Sequence, residues 1–106
     1  MSKFGNIEPK DIWMYFEEIL TIPRPSKKET AIIKYLQDFA AKHNLVVKTD
    51  EAGNVLISKP AYPGYENLQP VVLQSHMDMV CEKNSDVTHN FNTDPIEAYI
   101  DGEWIK

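Results

Sequence analysis

The chain has 106 residues, 42% of them apolar and 25% charged, with a net charge of −5, which suits one small globular domain with a single core. The acid excess speaks against nucleic acid as a partner, because phosphate-binding domains are basic. No apolar run reaches the ~20 residues of a bilayer span, the first residues lack a signal-peptide core, and a lone cysteine, Cys81, excludes an intrachain disulfide and fits a reducing cytoplasm.

Residues 1–8 read as a loose leader. Pro9 suits the first turn of a helix, where its missing N–H costs nothing. Ile12, Phe16, Ile19 and Leu20 follow at helical spacing, with Trp13 and Tyr15 beside them. A first helix is predicted from about Pro9 to Leu20, and Pro23 and Pro25 end it. Ser26 with Glu29 three residues on has the spacing of a capping box. An apolar stripe of Ile32, Ile33, Leu36, Phe39 and Ala40 then predicts a second helix from about Lys27 to His43. Asn44 is its expected left-handed terminator, and His43 its surface cap.

Leu45–Thr49 and Val55–Ser58 predict a hairpin around a tight turn that holds Gly53. Lys59–Pro70, with its prolines and Gly64, reads as a surface loop. Val71–Val80 (VVLQSHMDMV) is a Val-rich apolar run and predicts a buried central strand. The stretch from Cys81 to Pro95 is polar and reads as a loop over the strand end, with a turn at Asp94-Pro95. Finally, Ile96–Ile100, Asp101-Gly102 and the arm ending at Lys106 predict a second hairpin. Ile96, Ala98 and Ile100 face inward there, and Asp101-Gly102 supply the two positive-φ positions of a type I′ turn.

On a strand, residues two apart share a face, so His76 and Asp78 are expected side by side at the strand end. Open α/β sheets bind ligands beyond the carboxyl ends of their strands. An imidazole is a ready zinc ligand, and a carboxylate on its other ring nitrogen steadies it. Asp78 is placed for that task or for direct ligation. The bland alternative is a buried hydrogen-bonded pair, since His-x-Asp is short. Cys81 with His89 as a thiol nucleophile pair has no support from spacing, and Cys81 reads as a small packed thiol. Glu82 and Asp86 read as solvated loop carboxylates.

Four stretches carry a family likeness: IPRPSKKE (Ile22–Glu29), DEAGNVLISKPAYPGYEN (Asp50–Asn67), VVLQSHMDMVCEKN (Val71–Asn84) and FNTDPIEAYIDGEWIK (Phe91–Lys106). They resemble the aminoacyl-histidine (Xaa-His) dipeptidases, cytosolic peptidases with a dinuclear zinc site. The likeness implies an α/β fold in which two helices precede a mixed sheet with hairpins. It places residues 1–106 in the N-terminal portion of the catalytic domain, with the rest of that domain and a lid domain absent. It implies hydrolysis of dipeptides such as β-alanyl-histidine at two Zn2+ ions, with Co2+ as another acceptable metal. It assigns His76 as a zinc ligand and Asp78 as the catalytic carboxylate that supports its ring. It further implies a cytoplasmic protein, homodimeric through the lid. The bridging Asp, the Glu-Glu pair and the distant His of the family pattern have no match here. The 106 residues alone are therefore expected to be inactive. The competing reading is a non-catalytic α/β binding module in which His76 and Asp78 form a structural pair.

Overall fold

Helix α1 (Lys10–Leu20) begins directly after Pro9, whose extended backbone (φ −75°, ψ 133°) fills the N-cap position without a side-chain cap. Asp11 in the first turn suits the positive end of the helix dipole. The computed structural model describes residues 2–106. In it the chain divides into two compact units. One holds the residues up to Ile32 and Asp78–Lys106, and the other is Ile33–Met77.

In the first unit, the face that α1 turns inward is Trp13, Phe16, Glu17 and Leu20, each half-buried. These lie at i, i+3, i+4 and i+7, so the helical period holds. Ile12, expected on that face, is 61% exposed. The expected loose leader is also overturned. Phe4 is only 1% exposed, and its ring centroid lies 5.8 Å from those of both Trp13 and Phe16. Trp13 and Phe16 meet edge-on at 5.6 Å, a favoured aromatic geometry. The Phe4 N–H donates to Glu17 Oε1 at 2.8 Å. Burial pushes the Glu17 carboxyl up, but hydrogen bonds from Ser2, Phe4 and Lys3 outweigh it and hold its pKa below the ordinary value. One ring packed against two helix residues has no local periodicity, so the sequence pattern could not reveal it. Phe4→Ala should cost about 3–5 kcal/mol of stability, as other Phe truncations in cores do. A urea midpoint equal to that of the parent would show that this cluster carries no weight.

The end of α1 tightens. The N–H groups of Thr21 and Ile22 donate three residues back, to Glu18 O and Ile19 O. Pro23 and Pro25 forbid further helix. The capping box does not form, because helix α2 (Thr30–Lys42) starts later than Ser26 would cap it. Glu29 Oε1 instead accepts from the Lys27 N–H at 2.7 Å, and Ser26 is used elsewhere. The inward stripe on α2 is as expected: Ile32 and Ala40 are buried, and Ile33, Leu36 and Phe39 half-buried.

In the second unit α2 ends as the sequence predicts. Asn44 is left-handed (φ 56°). Leu45 N–H donates to Ala40 O at 2.8 Å and Asn44 N–H to Ala41 O at 3.2 Å, the paired bonds of a Schellman ending. Strands β1 (Val46–Thr49) and β2 (Val55–Ser58) form an antiparallel hairpin with Val47 opposite Ile57. Val47, Val55 and Ile57 are half-buried on one face, while Val46 and Leu56 are exposed on the other. Asp50 closes the turn. Its carboxylate accepts from the Asn54 backbone and side chain, both at 2.8 Å, and these bonds lower its pKa. Gly53 at φ +90° supplies the conformation that side chains resist.

The buried central strand over Val71–Val80 does not form. Among the described residues no strand pairs with it, and only Met79 makes a bridge, parallel, to Pro25. Val71, Val72 and Leu73 are exposed, Leu73 by 93%. Its composition suits a strand buried on both faces, but a strand also needs neighbours for its N–H and C=O groups. Among the described residues no strand flanks it.

The rest of the first unit ends in a short hairpin of β3 (Ile100–Asp101) and β4 (Trp104–Ile105), extended by a mutual pair of bonds between Tyr99 and Lys106. Asp101 pairs with Trp104, so the connecting residues are Gly102 and Glu103. Gly102 (φ 61°) is the positive-φ residue there and Asp101 is not. That sign pattern belongs to a II′ turn, in which glycine takes the first central position. The I′ expectation misplaced the turn by one residue. The alternation upstream is real, with Ala98 buried and Ile96 half-buried between exposed Glu97 and Tyr99, but Ile100 is exposed. The expected Asp94-Pro95 turn lies earlier. Asp94 closes it by accepting from the Asn90 N–H at 2.7 Å and donating its own N–H to Asn90 O at 2.8 Å. The class expected from sequence holds: two helices with two small antiparallel sheets.

Candidate active site

Asp78 opens the second stretch of the first unit and is half-buried. Three backbone bonds place it. The Met79 N–H donates to Arg24 O at 2.9 Å, the Ser26 N–H to Met79 O at 3.1 Å, and the Lys28 N–H to Pro25 O at 2.9 Å. The first two join Arg24–Ser26 to Met79 as a parallel bridge centred on Pro25. The third closes a turn in which Lys27 is left-handed at φ 73°, a conformation that a lysine adopts only where its surroundings demand it. Pro25 is buried. Arg24 fastens the start of the bridge to the end of α1. One guanidinium nitrogen donates to Ile19 O at 2.5 Å and to Ile22 O at 3.3 Å. Burial lowers the Arg24 pKa below its ordinary value, and the group remains a cation at neutral pH.

On this scaffold the Ser26 hydroxyl donates to Asp78 Oδ2 at 2.5 Å, with Met79 O further off at 3.3 Å. Sequence reasoning gave Ser26 to a helix cap and missed this contact. The two residues are 52 positions apart, and no local pattern links them. The one available signal was that both belong to the stretches that carry the family likeness.

His76 is exposed and lies in the second unit, two residues before the chain re-enters the first. The paired strand expected to carry both His76 and Asp78 is not formed. Cys81 is an exposed free thiol. Cys81 and His89 both border a cleft of about 700 Å³ in the first unit, together with Arg24, Met79, Lys83 and Phe91. The His89 ring packs on Phe91 at 4.9 Å.

An imidazole and a carboxylate are donors that zinc accepts, and a catalytic zinc takes about three protein ligands. Among the described residues, no group of three or more His, Cys, Asp or Glu side chains is arranged to hold a metal ion. The described residues therefore do not by themselves form a complete catalytic zinc site.

Comparison with known proteins shows what the chain is similar to. The chain is related over its whole length to dipeptidases, and its fold is that of a segment of a peptidase domain. It is 46% identical over 106 residues to the cytosol non-specific dipeptidase of Escherichia coli (strain K12), a match that takes in 100% of this chain and 22% of the relative. It superposes on the crystal structure of aminoacylhistidine dipeptidase from Vibrio alginolyticus with a TM-score of 0.90 and 47% identity, over 99% of this chain and 22% of that one. No protein-family model matches. The likeness read from the four sequence stretches is thus borne out, and the chain spans about 22% of the length of the relatives it matches.

Proposed function

We propose that residues 1–106 form the N-terminal portion of the catalytic domain of a metal-dependent dipeptidase. In this reading the whole protein hydrolyses dipeptides, Xaa-His dipeptides such as β-alanyl-histidine among them, at a dinuclear zinc site. The observation that carries it is 46–47% identity along the entire chain to two proteins, both named as dipeptidases. One of those names says non-specific and the other says aminoacylhistidine, so dipeptide hydrolysis is what they share and the Xaa-His preference is the finer proposal.

In this reading His76 ligates one metal ion through a ring nitrogen. Asp78 holds that imidazole in one orientation and raises its basicity, as carboxylates beside metal-bound histidines do. Bound zinc would supply a lowered pKa for water and a counter-charge for the tetrahedral intermediate. The remaining ligands and the general base would come from the part of the relatives' length that this chain does not span. Residues 1–106 alone should therefore be inactive. A cytoplasmic location belongs to the same proposal, as does a homodimer formed through a lid domain. Among the described residues no helix is long and apolar enough to cross a membrane.

The test is metal removal. Full-length protein stripped with a chelator should lose dipeptide hydrolysis and regain it on adding Zn2+, or Co2+ in its place. Turnover that survives complete stripping would rule out the metallopeptidase reading. It would also turn attention to Cys81, whose alkylation should then abolish activity.

A further inference from the structure

We propose that Ser26 is a positioning residue for this reaction, and that its hydroxyl fixes the carboxylate of Asp78 in the orientation the site requires. The inference rests on the dipeptidase reading above, and it names a residue that reading does not use. A carboxylate turns easily about its last torsion, because the rotational wells of such sp³–sp² bonds are broad. A hydroxyl donating to an ionised carboxylate forms a short, charge-assisted bond, and the Ser26–Asp78 bond is 2.5 Å long. What distinguishes it from an ordinary surface contact is the backbone behind the donor.

Ser26 is tied to Met79, the neighbour of Asp78, by its own N–H at 3.1 Å. The residue two before it accepts the Met79 N–H at 2.9 Å. The residue after it is held left-handed at φ 73°. Arg24 pins the same strand of chain to the carbonyls of Ile19 and Ile22. Donor and acceptor thus hang from one hydrogen-bonded bridge, and neither can drift without the other. Ser26 itself is exposed, so its hydroxyl is not needed to fill or satisfy a core. A solvent-accessible bond of this kind adds little to folding. Its consequence falls on the rotation of Asp78, and through Asp78 on whatever that carboxylate steadies.

The experiment uses the full-length protein and four variants: Ser26→Ala, Ser26→Thr, Asp78→Ala and the Ser26→Ala/Asp78→Ala double. Turnover of a dipeptide gives kcat and KM. Zn2+ titrated into chelator-stripped protein gives an affinity that does not depend on activity. Ser26→Ala should lower kcat about tenfold with KM changed less than about twofold, the pattern of a lost outer contact to a metal site. It should weaken zinc binding in the same direction as Asp78→Ala, and by less. Ser26→Thr, which keeps the hydroxyl, should restore most of kcat. In the double variant Ser26→Ala should add nothing to the loss from Asp78→Ala, since residues acting as a unit are not additive. The proposal is overturned if Ser26→Ala matches the parent in kcat and zinc affinity, if Ser26→Thr is as impaired as Ser26→Ala, or if the two single losses multiply. Should Ser26→Ala not fold, Ser26→Cys, with a side chain of similar shape and a weaker donor, replaces it under the same criteria. A parent protein that needs no metal for hydrolysis sinks the dipeptidase reading together with this role. A metal-dependent parent that ignores the loss of the hydroxyl sinks this role alone.

Discussion

His76→Ala in the full-length protein should lower bound zinc and abolish dipeptide hydrolysis, by about a thousandfold or more, as loss of a metal-activated nucleophile implies. Alanine removes the ring nitrogen and leaves the backbone unchanged. His76 is exposed, and because bound metal itself stabilises the folded state, folding is compared with metal stripped from both proteins. Activity and stability are thereby separated. A variant that melts with the parent but carries less metal and does not turn over supports the ligand role. A variant that keeps both metal and turnover contradicts it. Metal content read by elemental analysis and turnover read on one dipeptide settle the matter in a single preparation.

Asp78→Ala should behave differently. If Asp78 steadies the imidazole and does not bind metal itself, turnover should fall about 10–100-fold while most of the zinc is retained. The structure gives one reason to expect this. Oδ2 of Asp78 accepts the Ser26 hydroxyl at 2.5 Å, which engages one of the carboxylate's several acceptor sites with the protein. Asp78→Asn keeps the shape and removes the charge. It should fall between the parent and Asp78→Ala in turnover. An Asp78→Ala protein emptied of zinc would make the carboxylate a direct ligand, and the division of labour between the two residues would have to be redrawn.

The parts of the fold that were legible in the sequence are those built from local pattern. The α2 stripe, its Asn44 ending and the Gly53 hairpin all follow from spacing within a dozen residues, and the chain adopts them. The misses have a common cause, which is distance along the chain. Phe4 looked like part of a loose tail because its partners, Trp13 and Phe16, lie on a helix it does not belong to. Ile12 was placed inward by apolarity alone, although the face is set by where Phe4 docks. Ser26 carried the signature of a cap, yet its hydroxyl goes to Asp78. The II′ turn was misread by one residue because Asp-Gly suits either register.

Val71–Val80 is the most instructive case. Its composition is that of a strand buried on both faces, and composition reports what a segment is suited to. Pairing depends on other segments, and no described strand flanks this one. The candidate site is legible to the same degree. The residue types and the family likeness pointed to His76 and Asp78. The bridge from Arg24–Ser26 to Met79 that positions Asp78 became visible only in three dimensions.

The most direct measurement is an anomalous-difference map collected at the zinc edge on crystals of the full-length protein. The account predicts a strong peak within about 2.0–2.1 Å of a His76 ring nitrogen, with the Asp78 carboxylate on the other side of that ring. A zinc peak whose ligands do not include His76, or no peak in crystals of protein that hydrolyses dipeptides, would contradict it.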